Sequence, residues 1–123
     1  MALGKTVATI LSNKTAAASG STTLSDCTTL DTSDVLMLGI DASANYHASA
    51  TSGVTVKVFA SRDDSSYNLN PCDEWDLPFV AGTVVSKTVP VIPAGRYLKV
   101  QVTNKDTGQS ATQIYVYAHP LRG

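Results

Sequence analysis

Three stretches of this chain alternate apolar and mostly polar residues with a strict period of two. They are Val54-Thr55-Val56-Lys57-Val58-Phe59-Ala60-Ser61, Arg96-Tyr97-Leu98-Lys99-Val100-Gln101-Val102-Thr103 and Gln113-Ile114-Tyr115-Val116-Tyr117-Ala118-His119. In a strand, successive side chains point to opposite faces, so this period lays all the aliphatic groups on one side. Coiled into a helix, the same residues would scatter Val, Leu and Ile around the whole circumference. The alternation therefore predicts β-strands, with Val54, Val56, Val58, Leu98, Val100, Val102, Ile114 and Val116 facing one shared core.

The remaining strands are read from shorter runs between turn residues. Residues 5–12 form a first strand, and the small polar residues 13–21 a flexible turn or arm. Residues 22–26 read as a short strand. Residues 35–40, nearly all apolar, could start a helix at Ser33 or Asp34, but the run is short and ends in Gly and Asp. A strand buried on both faces fits better. Residues 41–53 read as a loop, 74–79 as a short strand and 83–89 as a longer one, and Pro90 and Pro93 bracket a connection. Pro93-Ala94-Gly95 is a turn in which glycine can take a positive φ. Residues 110–119 form the last strand, which Pro120 stops. Seven or eight mostly antiparallel strands predict an all-β fold, a β-sandwich or jelly roll. Residues 1–123 read as a single domain with a short N-terminal arm, about residues 1–5.

Charge narrows the function. Only 15% of the 123 residues are charged and the net charge is −1, against a usual charged fraction of about 25%. Lys and Arg are scattered singly, so no patch is expected to track a nucleic acid. No apolar run approaches the roughly 18 residues that span a bilayer. Thr6-Val7-Ala8-Thr9-Ile10-Leu11 is too short and threonine-rich for a signal-peptide core and reads as part of the first strand, so synthesis in a cytoplasm is expected. Free thiols are then expected at Cys27 and Cys72. Two cysteines with His47 and His119 give no zinc spacing, and no cofactor is expected.

No nucleophile elbow, Cys-His pattern or phosphate-binding loop occurs, so the chain is not expected to be an enzyme. Asp63, Asp64, Asp73, Glu74 and Asp76 crowd one loop region. They could offer oxygen ligands to calcium, but Asp63-Asp64-Ser65-Ser66 is also an ordinary tight turn without EF-hand spacing. Tyr97, Tyr115 and Tyr117 fall out of phase with the aliphatic residues and so occupy a non-aliphatic face. Three uses fit them: a carbohydrate platform, cross-strand aromatic pairs, or a surface covered by another subunit. Met1 and Leu3, apolar residues ahead of the first strand, are candidates for contacts outside the domain.

The segment Val56-Lys57-Val58-Phe59-Ala60-Ser61-Arg62-Asp63-Asp64-Ser65-Ser66-Tyr67 pairs a strand with a Ser-x-Asp-x-x-x-Tyr turn. With Pro78-Phe79-Val80-Ala81-Gly82 and Tyr97-Leu98-Lys99-Val100-Gln101-Val102-Thr103-Asn104, it resembles small β-sandwich virion proteins of tailed bacteriophages. These are head or tail accessory proteins, among them capsid decoration (cement) proteins. Ser65 stands where that turn usually has glycine. The resemblance implies a structural role on the outer capsid surface with the major capsid protein as partner, as a homo-oligomer, often a trimer. Met1, Leu3, Tyr97, Tyr115 and Tyr117 are then interface candidates and the virion is the location. The same strand-turn unit occurs in carbohydrate-binding sandwiches, so a sugar-binding module of a phage fibre or bacterial surface protein is the alternative.

Overall fold

The computed structural model describes the backbone of residues 4–5 and residues 7–122 in full. Among them are nine strands: β1 (Gly4–Lys5), β2 (Ala8–Ala16), β3 (Leu30–Asp31), β4 (Val35–Tyr46), β5 (Val54–Ser61), β6 (Asp73–Asp76), β7 (Val84–Val91), β8 (Tyr97–Asn104) and β9 (Ala111–Arg122). Sheet A runs β1-β9-β4-β7, with β2 also pairing β9 beyond β1, and sheet B runs β3-β8-β5-β6. Every pairing is antiparallel. From β2 to β5 the chain changes sheet at each connection, and β6 to β9 change sheet again. A five-stranded and a four-stranded layer stacked and wound this way, with β1 and β2 sharing one edge of sheet A, are a jelly roll, which decides between the two sandwich forms the sequence allows.

The predicted phase holds. Val54, Val56, Val58, Val102, Ile114 and Val116 are completely buried, with Leu98 and Val100 each 2% exposed. They meet Leu38, Ile40, Ala42, Ala44 and Tyr46 from β4 in one core. Burying each large aliphatic side chain contributes about 1.5–3 kcal/mol.

Polar side chains fix the connections. Asn104, buried at the end of β8, donates from Nδ2 to the carbonyls of Ala16 (3.2 Å), Ala17 (3.3 Å) and Gln109 (2.8 Å). Its Oδ1 accepts from Asp106 N at 3.0 Å. Asp106 accepts from Thr51 N (2.6 Å), Ser52 N (3.1 Å), Gly108 N (2.8 Å) and Gln109 N (2.9 Å). These backbone amides, Thr51 foremost, hold its carboxyl far below the usual carboxylate range. The β8–β9 turn and the β4–β5 loop are thereby locked to each other.

Several boundaries differ from the sequence reading. Residues 41–46 are strand, because β4 alternates through small inward residues, Ala42 and Ala44, whose brevity hides the period. The arm expected at 13–21 is strand as far as Ala16, bulged where Asn13 takes φ 50°. Residues 24–26 are a 3₁₀ turn capped by the Thr23 side chain, not a strand. Pro90 lies inside β7, an edge strand where a missing N–H disturbs no second ladder. Pro120 does not end β9. The strand continues to Arg122, and Pro120 is opposite Leu38 of β4. Gly95 is required by crowding, not by φ: a Cβ there would sit 3.0 Å from Ala60 Cβ and 3.2 Å from the Ser61 carbonyl.

Candidate functional site

Registers fix which side chains share the outer face of sheet A. Partners across the strands form rows: Met37 with Leu121; Gly39 with Pro90 and His119; Asp41 with Thr88 and Tyr117; Ser43 with Ser86 and Tyr115. Thr9 of β2 extends the Tyr117 row. The intervening rows, such as Ile40 with Val89 and Ala118, point inward. At Gly39 a side chain is missing from the row, and Met37, Leu38, Thr88, Pro90, His119 and Leu121 close around a largely apolar dish of about 270 Å³. Beside it, the rings of Tyr115 and Tyr117 lie 6.2 Å apart and parallel within 6°.

Asp41 is the one formally charged residue that β4, β7 and β9 place in those rows, and on β1 Lys5 pairs Leu121. The outer face of sheet B is different in kind. By the same registers it carries Asp31, Lys57, Glu74, Asp76 and Lys99. Asp76 accepts from Thr55 at 2.6 Å and pairs with Lys105 at 3.1 Å, and these two partners lower its pKa.

The sequence candidates separate accordingly. Tyr115 and Tyr117 sit together on sheet A. Tyr97 is also outward, but on sheet B, beneath the Arg96 guanidinium at 5.3 Å. Phase along a strand gives the face of its own sheet and cannot say which sheet. Met1 and Leu3 lie outside the described residues. The sequence reading missed Met37, Gly39, Asp41, Pro90 and Leu121. The signal was the alternation of Leu38, Ile40, Ala42 and Ala44, which leaves Met37, Gly39 and Asp41 on the other face.

The acidic loop is a turn. Asp63 Oδ1 accepts from Ser61 Oγ, Ser65 N and Ser66 N, each at 3.0 Å, and the two amides foremost lower its pKa. Asp64, at φ 59°, takes the Tyr67 hydroxyl at 2.5 Å. Burial together with Asp64 pushes that phenol up to about 12. Among the described residues no three His, Cys, Asp or Glu side chains converge as metal ligands. Also among them, no helix is long and apolar enough to cross a membrane. His47 accepts a turn amide from Ser49, while His119 rims the dish. Both cysteines are free, Cys27 buried and Cys72 exposed. The Cys27 sulfur accepts from Val100 N at 3.2 Å, and burial pushes its thiol up to about 11.

No family model matches this sequence. No curated protein sequence matches it. Solved structures do match. VP2 of infectious bursal disease virus, solved as a subviral particle, superposes with a TM-score of 0.60 over 98% of this chain at 10% identity. The match takes in 33% of VP2, so this chain spans about a third of that protein's length. A Bacillus endospore appendage protein, of a family of disulfide-linked pili, gives 0.52 at 14% identity, over 98% of this chain and 88% of its own. The carbohydrate binding module of Cellvibrio mixtus lichenase 5A, solved with cellotriose, gives 0.52 at 10% identity, over 89% and 95%. At such identities these proteins share with this chain its fold: two antiparallel sheets packed as a β-sandwich.

Proposed function

We propose that this is a structural virion protein, a decoration protein that binds the outer surface of a capsid through the outer face of sheet A. The major capsid protein is the proposed partner. One observation carries the reading: the two faces of the sandwich differ sharply in charge. Interface cores are depleted in Lys, Glu and Asp and enriched in Tyr and Met. The sheet A rows have that composition, with Asp41 the one charge from β4, β7 and β9 and Lys5 at the β1 end of the Leu121 row, and the sheet B rows have the opposite. Four strands by four rows cover on the order of 500 Å², against about 800 Å² per partner in a stable interface. Exposed Leu36, next to Met37, and Ile92, two residues beyond Pro90, would supply part of the difference. The shared fold of VP2 in a subviral particle and of a pilus protein supports a role in assemblies.

The test is co-sedimentation with undecorated capsids assembled from the major capsid protein encoded alongside this chain. Tyr117→Arg and Met37→Glu should each raise half-saturation at least about tenfold, as expected when a charge is desolvated at an interface core. Lys99→Glu on sheet B should leave it unchanged. The reverse pattern would refute the face assignment, and no binding by the unaltered protein would refute the decoration reading.

The parallel Tyr115 and Tyr117 rings favour a second reading, a carbohydrate-binding module that stacks a sugar on sheet A. Titration with an oligosaccharide panel, watched through tyrosine fluorescence, tests it. Saturable binding abolished by Tyr115→Ala with Tyr117→Ala would establish it.

A further inference from the structure

We infer that the protein pairs with a second copy of itself along one side of the sandwich, β7 of each copy lying antiparallel to β6 of the other in a two-fold dimer. This goes beyond the docking of sheet A and stands without it.

The argument begins with unpaired sheet edges, whose free N–H and C=O groups recruit further strands unless they are blunted. On one side the edges are blunted. β2 carries three register shifts along β9 and a positive φ at Asn13, and its sheet B counterpart β3 is two residues long. On the other side they are open. β7 pairs β4 over all eight residues without a shift, and among the described residues nothing pairs its outer edge. Its blunting devices are Lys87 and Pro90. The neighbouring edge, β6, is Asp73-Glu74-Trp75-Asp76. The two edges flank the same side of the sandwich: residues 77–83 join β6 to β7, while on the far side Thr28 N, just before β3, donates to the Ile10 carbonyl of β2 at 2.9 Å.

Two adhesive edges on one side favour a closed two-fold pair over an open filament, which needs complementary edges on opposite sides. Two such pairs are possible. β7 runs with β9 and β6 with β8, because each is separated from it by one antiparallel neighbour. β8 and β9 run oppositely, joined by the short turn at residues 105–110. Hence β6 and β7 run oppositely, and a two-fold axis along the strands sets β7 antiparallel to the partner's β6 on both seams. An axis normal to the sheets would instead set β7 against β7 and β6 against β6.

Charge decides between them. The like-with-like pair opposes Asp73, Glu74 and Asp76 to their own copies. The crossed pair sets them beside Lys87, the one charged residue of β7, and Asp73 shares its phase, since Lys87 pairs Ala42 and Asp73 pairs Val58, both core-facing. Like charges across a seam repel and opposite charges attract. In the crossed pair the two sheet A faces look away from each other, so each dimer presents two docking faces.

The experiment is light scattering behind size-exclusion chromatography on the protein alone, across a concentration series. The expected mass is twice the 12.9 kDa of the chain. Lys87→Glu should weaken dimerisation roughly tenfold, because each cross-strand charge pair occurs twice and reversal makes it repulsive. Adding Asp73→Lys, at the acidic position that shares the phase of Lys87, should restore it. Thr88→Pro removes an amide two residues from Pro90, on the edge of β7 where the strand already accepts proline, and should give a monomer with an unchanged melt. A monomer at every concentration, or a Thr88→Pro dimer, overturns edge pairing. Loss of the dimer in Thr88→Pro with no response to the charge swap overturns the crossed arrangement.

Discussion

Asn104→Asp exchanges one amide for a carboxyl of the same shape, and the structure gives the cost. Asn104 Nδ2 donates to three backbone carbonyls, of Ala16, Ala17 and Gln109, in a site only 2% exposed. A protonated Asp retains a single donor there, so about two bonds are lost, near 2 kcal/mol at about 1 kcal/mol each. An ionised Asp retains none and sets a negative charge against three carbonyl oxygens, for about 3–5 kcal/mol. Burial among acceptors raises the folded pKa of the new carboxyl above its unfolded value of about 3.9. The sign follows from linkage: the folded state holds its proton longer, so the variant is least impaired below about pH 4 and loses stability as pH rises toward the folded pKa. Urea unfolding followed by circular dichroism at about pH 3 and about pH 7 measures both values. At about 4 °C per kcal/mol for a domain of this size, the neutral-pH melting temperature should fall on the order of 15 °C. A loss below about 1 kcal/mol at neutral pH, or a loss that shrinks as pH rises, would show that Asn104 does not hold the β8–β9 turn to β2.

Asp106, whose pKa is lowered by the amides of Thr51, Gly108, Gln109 and Ser52, contributes stability fully present above about pH 4 and lost as pH falls toward its folded pKa. The melting temperatures of the unaltered protein and Asp106→Asn should therefore converge in strong acid and separate at neutral pH. Cys72 should react with a maleimide in the native protein, while Cys27, buried and pushed up to about 11, should react only on unfolding. Rapid double labelling in native buffer would contradict that. Millimolar calcium should leave the melting temperature unmoved within about 2 °C, since backbone amides and hydroxyls already occupy Asp63 and Asp64. A larger rise reversed by a chelator would contradict the turn assignment. Gly39→Ala should fold normally, its Cβ in ordinary contact with Thr88 Cγ2 at 3.4 Å, and should weaken capsid binding by filling the dish.

The sequence by itself determined the strands with strong alternation and the inward phase of their aliphatic residues. Burial of every second side chain acts residue by residue and leaves its mark on the local pattern, which is why Val54, Val100 and Ile114 could be placed before any strand was paired. It also determined that Asp63 and Asp64 belong to a turn, because Asp and Ser side chains bond amides two or three residues away. What lay beyond local reach was decided by the tertiary structure. Period two says that Tyr97 and Tyr117 point away from the core, but only the pairing of β8 with β5 and of β9 with β4 puts them on opposite faces of the sandwich. Pro90 and Pro120 read as strand ends because proline removes one ladder donor. Whether that donor is missed depends on which neighbour lies beside it, and β7 has none on its outer edge. Gly95 is needed because Ala60 and Ser61, distant in sequence, press against it. The charge-poor face is likewise a product of pairing, since Met37, Pro90, Tyr117 and Leu121 become one surface only when β4, β7 and β9 lie side by side.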